Sequence, residues 1–414
     1  MIRSLTSLLA LAFVVSAMPA QAKDNAGFLY GTVITESGTE YRGFMRWGKQ
    51  ESFWDDLFHS LKEDLPYVDE VEDLGLMDED AQRGRGGRIR VFNVRINWED
   101  DGWGASRVFV ARFGDIERLE ITGDEDARVI LRNGEEFDVS GYSDDVGNTI
   151  RMRDDSLGEI DLKWDRIEEI RFEAAPRGAD PGTQRLYGTV QSEAGDFTGY
   201  VMWDKEECTT EDLLDGESED GDLSIEFGRI QAIERRGRSS SIVELRDGRR
   251  LRLRGSNDVD DDNRGIMIED ARFGKVTVEW DAFDRLELTD PNGSGRGYDE
   301  YPVPKPLYGT VTDRDGEEHS GRIVFDLDEA GTWEMLNGNV RDVAFDIPFE
   351  KVQSIEPIDD DASRVVLTSG EELELEDSQD ISERNDGILL YRGDDRDDAM
   401  YLSWEEVVRI DFRN

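Results

Sequence analysis

Apolar and polar residues alternate along short runs throughout the chain, and glycine-containing steps separate the runs. Val129 and Leu131, then Phe137 and Val139, share one side of this pattern, while Arg132, Glu136 and Asp138 share the other, with Asn133-Gly134 between them. An Asn-Gly or Asp-Gly step between alternating runs is a strong local hairpin signal. Asp247-Gly248 and Ser369-Gly370 mark the same step in VELRDGRRLRL from Val243 and VVLTSGEELEL from Val365. The pattern predicts half-buried antiparallel strands and an all-β fold.

The strands recur in a fixed order. LYGTV stands at Leu29 to Val33, Leu186 to Val190 and Leu307 to Val311, and each copy is followed by a glycine, a second glycine and an aromatic: Gly38, Gly43 and Trp47; Gly195, Gly199 and Trp203; Gly316, Gly321 and Phe325. Six segments close in aromatic-x-x-apolar-x-x-apolar, among them Phe113 to Leu119, Trp164 to Ile170 and Trp404 to Ile410. That spacing suits a tight helical turn leading into a strand. Self-similarity of this kind is the mark of a repeat architecture. We expect three tandem repeat units, each a pair of small five-strand barrel-like modules, since a flat sheet of about 50 to 60 residues buries too little surface.

The boundaries expected are a signal peptide at 1–22, unit one at 23–172 with an insertion at about 59–106, a linker at 173–184, unit two at 185–288, a Pro/Gly linker at 289–306 and unit three at 307–414. Arg3, an apolar stretch from about Leu8 to Met18, and Ala20-Gln21-Ala22 before Lys23 read as a cleavable secretory signal. The apolar stretch falls short of the ~20 residues that span a bilayer, so no membrane span is expected once it is removed. A periplasmic or extracellular setting follows. In the insertion, 64–80 reads as loop or weak helix and Arg88 to Trp98 as a strand, with Trp98 and Trp103 as exposed contact residues. The proline-rich linkers read as exposed connectors.

The second halves resemble Sm-like small β-barrels, through an apolar-x-Leu-x-x-Gly run followed by Asp and Asn before an apolar residue, as in Asp144 to Asn148 and Ile150. The first halves look like the related Src-homology-3-like barrels. Sm-like barrels would imply RNA binding. Charge argues against it here.

The chain has 414 residues, with 49 Lys+Arg against 97 Asp+Glu and a formal charge of −48. Nucleic-acid affinity comes from cations displacing phosphate counterions, so nucleic acid is excluded as a partner. Only eight cations are Lys, leaving 41 Arg, and the acids spread over all three units. Such a surface fits solubility in a saline setting. The single Cys208 lies among acids and reads as a small buried hydrophobe. No phosphate loop, Gly-x-Ser-x-Gly, His-Glu-x-x-His or dinucleotide fingerprint is present.

Asp258, Asp260, Asp262 and Glu269 are the candidate metal ligands: acids on alternate residues with Glu269 at position twelve counted from Asp258, the spacing of a calcium loop. Against it, Gly265 stands where such loops carry an apolar residue, and a solvated acidic hairpin is the alternative. Asp145, Asp258 and Asp380, with Asn148, Asn263 and Asn385, recur in all units as either polar ligands or turn-tying side chains. The function expected is an exported, non-enzymatic β-repeat binding or scaffold module acting on a protein or envelope component. A calcium-responsive protein, with calcium as its only cofactor, is the first alternative, and a carboxylate-dependent hydrolase the second.

Overall fold

The computed structural model describes residues 24–73, 75, 107–141, 145–393 and 398–413. The expected signal peptide, the strand at Arg88 to Trp98, Trp98 and Trp103 lie outside them.

The described chain is almost entirely antiparallel β-structure. Its first ten strands are β1 (Tyr30–Thr35), β2 (Glu40–Trp47), β3 (Leu57–Lys62), β4 (Arg107–Arg112), β5 (Ile116–Ile121), β6 (Asp126–Leu131), β7 (Glu136–Ser140), β8 (Ile150–Asp154), β9 (Gly158–Leu162) and β10 (Ile167–Phe172). They form one sheet in the order β4-β3-β7-β6-β5-β10-β1-β2-β8-β9. The same pairings link the ten strands between Tyr187 and Leu288 and the ten between Tyr308 and Phe412, where a single bridge, Glu217 to Arg254, stands for the β3–β7 contact in the former. Five of the six aromatic-led closing segments begin with a 3₁₀ turn, such as Phe113–Asp115 and Trp404–Glu406, and run straight into a strand.

The five-strand sets are not the contiguous halves that the sequence pattern suggests. β1 and β2 of the first half pair with β10 and β8 of the second, while β3 of the first half pairs with β7 of the second. Each set therefore takes a hairpin from one half and three strands from the other, and the two sets meet at β5–β10. The alternation pattern fixes which face of each hairpin is buried. It does not say whose edge the hairpin joins.

The paired glycines explain the recurring motif. Gly31 lies opposite Gly43 in the β1–β2 register, as Gly188 lies opposite Gly199 and Gly309 opposite Gly321. A Cβ on Gly43, Gly199 or Gly321 would meet the carbonyl oxygen of Arg153, Glu269 or Tyr391 at 1.9, 1.9 and 2.1 Å. Backbones pass so closely there that no side chain fits.

The three ten-strand regions pack into one body. β19 (Gly274–Val278) pairs with β24 (Val343–Pro348), from Lys275 opposite Asp346 to Val278 opposite Val343, so the second and third regions share a sheet. Phe197, Phe273 and Phe345 stack edge to face across that junction at 5.6–5.9 Å. The first region has its own core, into which Met202, Cys208 and Trp333 of the other regions enter. The helix α1 (Pro66–Asp73), in the stretch expected to be loop or weak helix, sets Val71 against Val324, Leu327, Leu389 and Tyr391 of the third region.

The linker at 289–306 is a strap rather than an exposed connector. Tyr298 and Tyr301 are buried in the core of the first region, the Tyr298 hydroxyl donates to the Ile116 carbonyl at 2.9 Å, and its ring sits 4.6 Å from that of Trp54. Two aromatic anchors outweigh the flexibility that the Pro/Gly content suggests.

Candidate functional site

At each aromatic that ends the second strand of a unit, the chain reverses in a five-residue turn. It spans Trp47 to Glu51, Trp203 to Glu207 and Phe325 to Glu329, and the aromatic N–H donates to the glutamate carbonyl at 2.7–2.8 Å. The turn centre needs positive φ, supplied by Gly48 (57°), by Asp204 and Lys205 (52° and 54°), and by Asp326 and Leu327 (52° and 51°). Asp tolerates this left-handed conformation better than most residues.

The recurring Ser-x-Asp segment folds against this turn. The carboxylates of Asp145, Asp258 and Asp380 accept the backbone N–H of His59, Asp215 and Asn337 at 2.7, 2.6 and 2.7 Å. Ser256 and Ser378 hydroxyls donate to the carbonyls of the same Asp215 and Asn337, at 2.8 and 2.6 Å. One serine and one aspartate thus grip both backbone groups of a single residue in β13 (Leu213–Ser218) or β23 (Met335–Val340). Asn263 and Asn385 each accept the N–H of the glycine two residues on, Gly265 and Gly387. These are turn-tying roles, and they hold the Asp side chains in the interior.

Turn and segment together gather carboxylates. Asp204, Glu207 and Asp258 have oxygens within 4.8 Å of one another, and Asp326, Glu329 and Asp380 repeat the arrangement. In each cluster one glutamate oxygen, Glu207 Oε2 or Glu329 Oε2, is buried without a hydrogen-bond partner. Arg264 partly compensates the first cluster, its Nη2 2.7 Å from Asp204 and 2.9 Å from Glu206. Arg107 does so in the second, 3.0 Å from Asp326 and also paired with Asp386. Burial, then the neighbouring Asp258 and Glu206, pushes the Glu207 carboxyl up to about 9. Burial likewise lifts Asp258 to about 6 and Asp380 to about 7, and holds Asp326 and Glu329 well above the usual carboxylate range. Such a cluster can hold a shared proton or a divalent cation.

Of the residues picked out by calcium-loop spacing, Asp258 belongs to the first cluster and the other three do not. Asp260 accepts the N–H of Asp262 at 3.2 Å, Asp262 is exposed, and Glu269 lies on β18 (Ile266–Asp270) with its carboxylate 3.8 Å from Lys275 Nζ. The glutamates of the turns went unnoticed in the sequence. Their signal was aromatic-Asp-x-x-Glu, at Trp203 to Glu207 and Phe325 to Glu329, masked in the first unit because Gly48 replaces the aspartate. A third group, Asp313, Glu317 and His319, is a surface turn in which Asp313 accepts the N–H of Asp315 and of Glu317 and holds His319 Nε2 at 2.8 Å.

A second set of acids ties the regions together. Asp56, Asp212 and Glu334 each accept two successive backbone N–H groups: Ser52 and Phe53, Cys208 and Thr209, Ala330 and Gly331, at 2.6–3.0 Å. Each also receives a cation from another region. Lys275 reaches Asp56 at 3.2 Å, Arg46 reaches Asp212 at 2.7 Å and Lys62 reaches Glu334 at 2.9 Å. Arg185 adds a bidentate pair with Asp55 at 2.7 and 2.9 Å, its guanidinium 3.8 Å from the Phe53 ring centre and 3.9 Å from that of Tyr200. Cys208 is buried with its thiol pushed up chiefly by burial, a packing residue in its surroundings.

Compared with protein families, with characterised proteins and with solved structures, the chain matches none.

Proposed function

We propose that the protein is an exported, non-enzymatic β-repeat scaffold, an interaction module of the envelope or the extracellular medium. The observation that carries this reading is the way the three regions are locked together. A shared sheet joins the second and third regions, and ion pairs at equivalent turn positions, buried at Asp56 and Glu334 and half-buried at Asp212, join the first to both. Polar residues of the interior are spent on rigidity. Among the described residues, none of the carboxyls raised above their ordinary range lines either of two surface clefts, which favours a scaffold over a carboxylate hydrolase. The acidic, lysine-poor surface suits the saline setting expected from the sequence.

Cross-linking in intact cells, followed by identification of captured envelope components, tests the reading. A reproducible partner that contacts the ten-strand regions supports it; turnover of a substrate by the purified chain overturns it.

A second reading, a divalent-cation-responsive protein, is favoured by the two equivalent three-carboxylate clusters, each with a buried unpartnered oxygen. Calorimetry with calcium at pH 7.5 would show saturable heat lost in Asp258→Asn and Asp380→Asn. A flat titration removes it.

A further inference from the structure

A cleft of about 470 Å³ opens where the second region, the strap and the third region meet. Its volume lies within the roughly 300–1,000 Å³ typical of small-molecule sites. Its lining departs from the rest of this strongly acidic surface. Three cations, Arg272, Arg296 and Lys351, converge on it together with the hydroxyls of Thr368 and Ser369.

The two acids in the same wall are already committed. Glu300 accepts the backbone N–H of Gly297 at 2.8 Å, and Glu350 is held by Arg112 at 2.6 Å. Lys351 is the reverse case. Its ammonium donates to the Ala271 carbonyl at 2.6 Å, and among the described residues no carboxylate lies within ion-pair distance of it. An ammonium has three N–H donors, so two remain for a ligand. Burial holds the lysine below its ordinary value, with Glu269 and Glu350 opposing that shift and Arg112 and Arg296 adding to it. Arg296 is kept over the cleft by stacking on Tyr301, 5.2 Å from the ring centre, and Thr368 is placed beside Lys351 by its own N–H, which donates to the Lys351 carbonyl at 2.8 Å. The Thr368 and Ser369 hydroxyls are exposed and make no hydrogen bond to the described residues. Arg272 is itself held by Asp270, at 3.0 Å from Nε and 2.7 Å from Nη2, so it contributes to the wall mainly through Nη1, which is free among the described residues, and Arg296 lies 4.0 Å from Glu350. Lys351 and the two hydroxyls are the uncommitted donors of this space, on turns of the third region, with the strap and the second region closing its other sides.

We infer that this cleft is a binding site for an oxyanion group, a phosphate or a carboxylate carried by a small molecule, with Lys351 as the central ligand and Arg272, Arg296, Thr368 and Ser369 around it. The formal charge of −48 does not forbid this. Charges more than about 8 Å away are largely screened at physiological ionic strength, so the near donors decide.

Titration calorimetry of the full chain with inorganic phosphate and, separately, with citrate tests the site and distinguishes the two oxyanion sources. One saturable site is expected for at least one probe. Lys351→Met is expected to weaken it about tenfold or more, the effect of removing a charge-assisted hydrogen bond. Lys163→Met, the same charge change at an exposed position of the first region, is expected to leave it unchanged. Arg296→Gln, on the exposed rim, provides a second weakening variant should Lys351→Met fold poorly. No saturable binding of either probe, or equal weakening by Lys351→Met and Lys163→Met, overturns the inference. Either result leaves the scaffold reading to its own cross-linking test.

Discussion

Replacing Arg185 by methionine tests whether buried ion pairs hold the regions together. The Arg185 side chain is 3% exposed and that of Asp55 9% exposed, with two N–H donors on two carboxylate oxygens and an aromatic ring on either side of the guanidinium. Methionine keeps much of the stem's apolar contact but leaves Asp55 buried with its charge uncompensated except by Lys275. Breaking a buried pair from one side costs about 3–5 kcal/mol. Loss of the stacking contributes roughly 1–2 kcal/mol of that sum. Asp55→Leu combined with Arg185→Met removes both charges, and the double variant should lie within about 2 kcal/mol of the parent. Urea unfolding followed by tryptophan fluorescence gives the four free energies, with Trp54 next to Asp55 as a reporter. The coupling energy from the cycle is expected to exceed about 2 kcal/mol. A single-variant cost below about 1 kcal/mol, or a double variant equal to the sum of the singles, would refute the reasoning. Burial pushes the Asp55 carboxyl up, but Arg185 and Lys275 outweigh it and the net direction is down. Its contribution is therefore complete above the unfolded value of about 3.9 and disappears as pH falls through the lower folded value.

Other outcomes follow from the clusters, the glycines and the charge. Glu207 is lifted to about 9, so its folded form holds a proton more tightly than the unfolded chain does. The resulting stability is complete below the unfolded value of about 4.3 and is lost as pH rises toward 9; thermal melts from pH 5 to 10 should show this fall, and Glu207→Gln should flatten it. Gly199→Ala places a Cβ 1.9 Å from the Glu269 carbonyl oxygen, and a loss of at least about 2 kcal/mol in urea unfolding is expected, against no change if the strands can part. Raising NaCl from about 0.05 to 2 M should lift the melting temperature by at least about 3 °C, roughly 1 kcal/mol, because surface acids repel while the buried pairs are little screened. A melt insensitive to salt would remove charge repulsion from the account.

Strand existence and hairpin turns were legible because they are local. Asn133-Gly134 and the alternation around it specify a hairpin without reference to anything distant. The aromatic-x-x-apolar spacing gave the 3₁₀ turn before five of the six closing strands for the same reason. What stayed hidden depends on partners far along the chain. Nothing in Leu57 to Lys62 announces that its edge meets Val139 and Ser140. The acids that join the regions differ in type and flank, with Asp56 after Trp54-Asp55, Asp212 after Thr210-Glu211 and Glu334 after Thr332-Trp333, so their equivalence emerges only in space. The calcium-loop spacing counts along one segment, whereas strand pleating turns Glu269 toward Lys275 and folding brings Asp258 to Glu207.

The exchange of strands between halves bears on how such a chain came to be and how it can be cut. A half-unit taken alone has a hairpin reaching outward and a strand edge waiting for one, and each need is met only by another half-unit. Two copies meeting about an axis through their closing strands would satisfy both. In these terms each ten-strand region has the topology of two half-units that exchange hairpins within one chain. Proteolysis between β5 and β6 should therefore leave fragments that stay associated, while expression of either half by itself should yield a dimer or nothing folded.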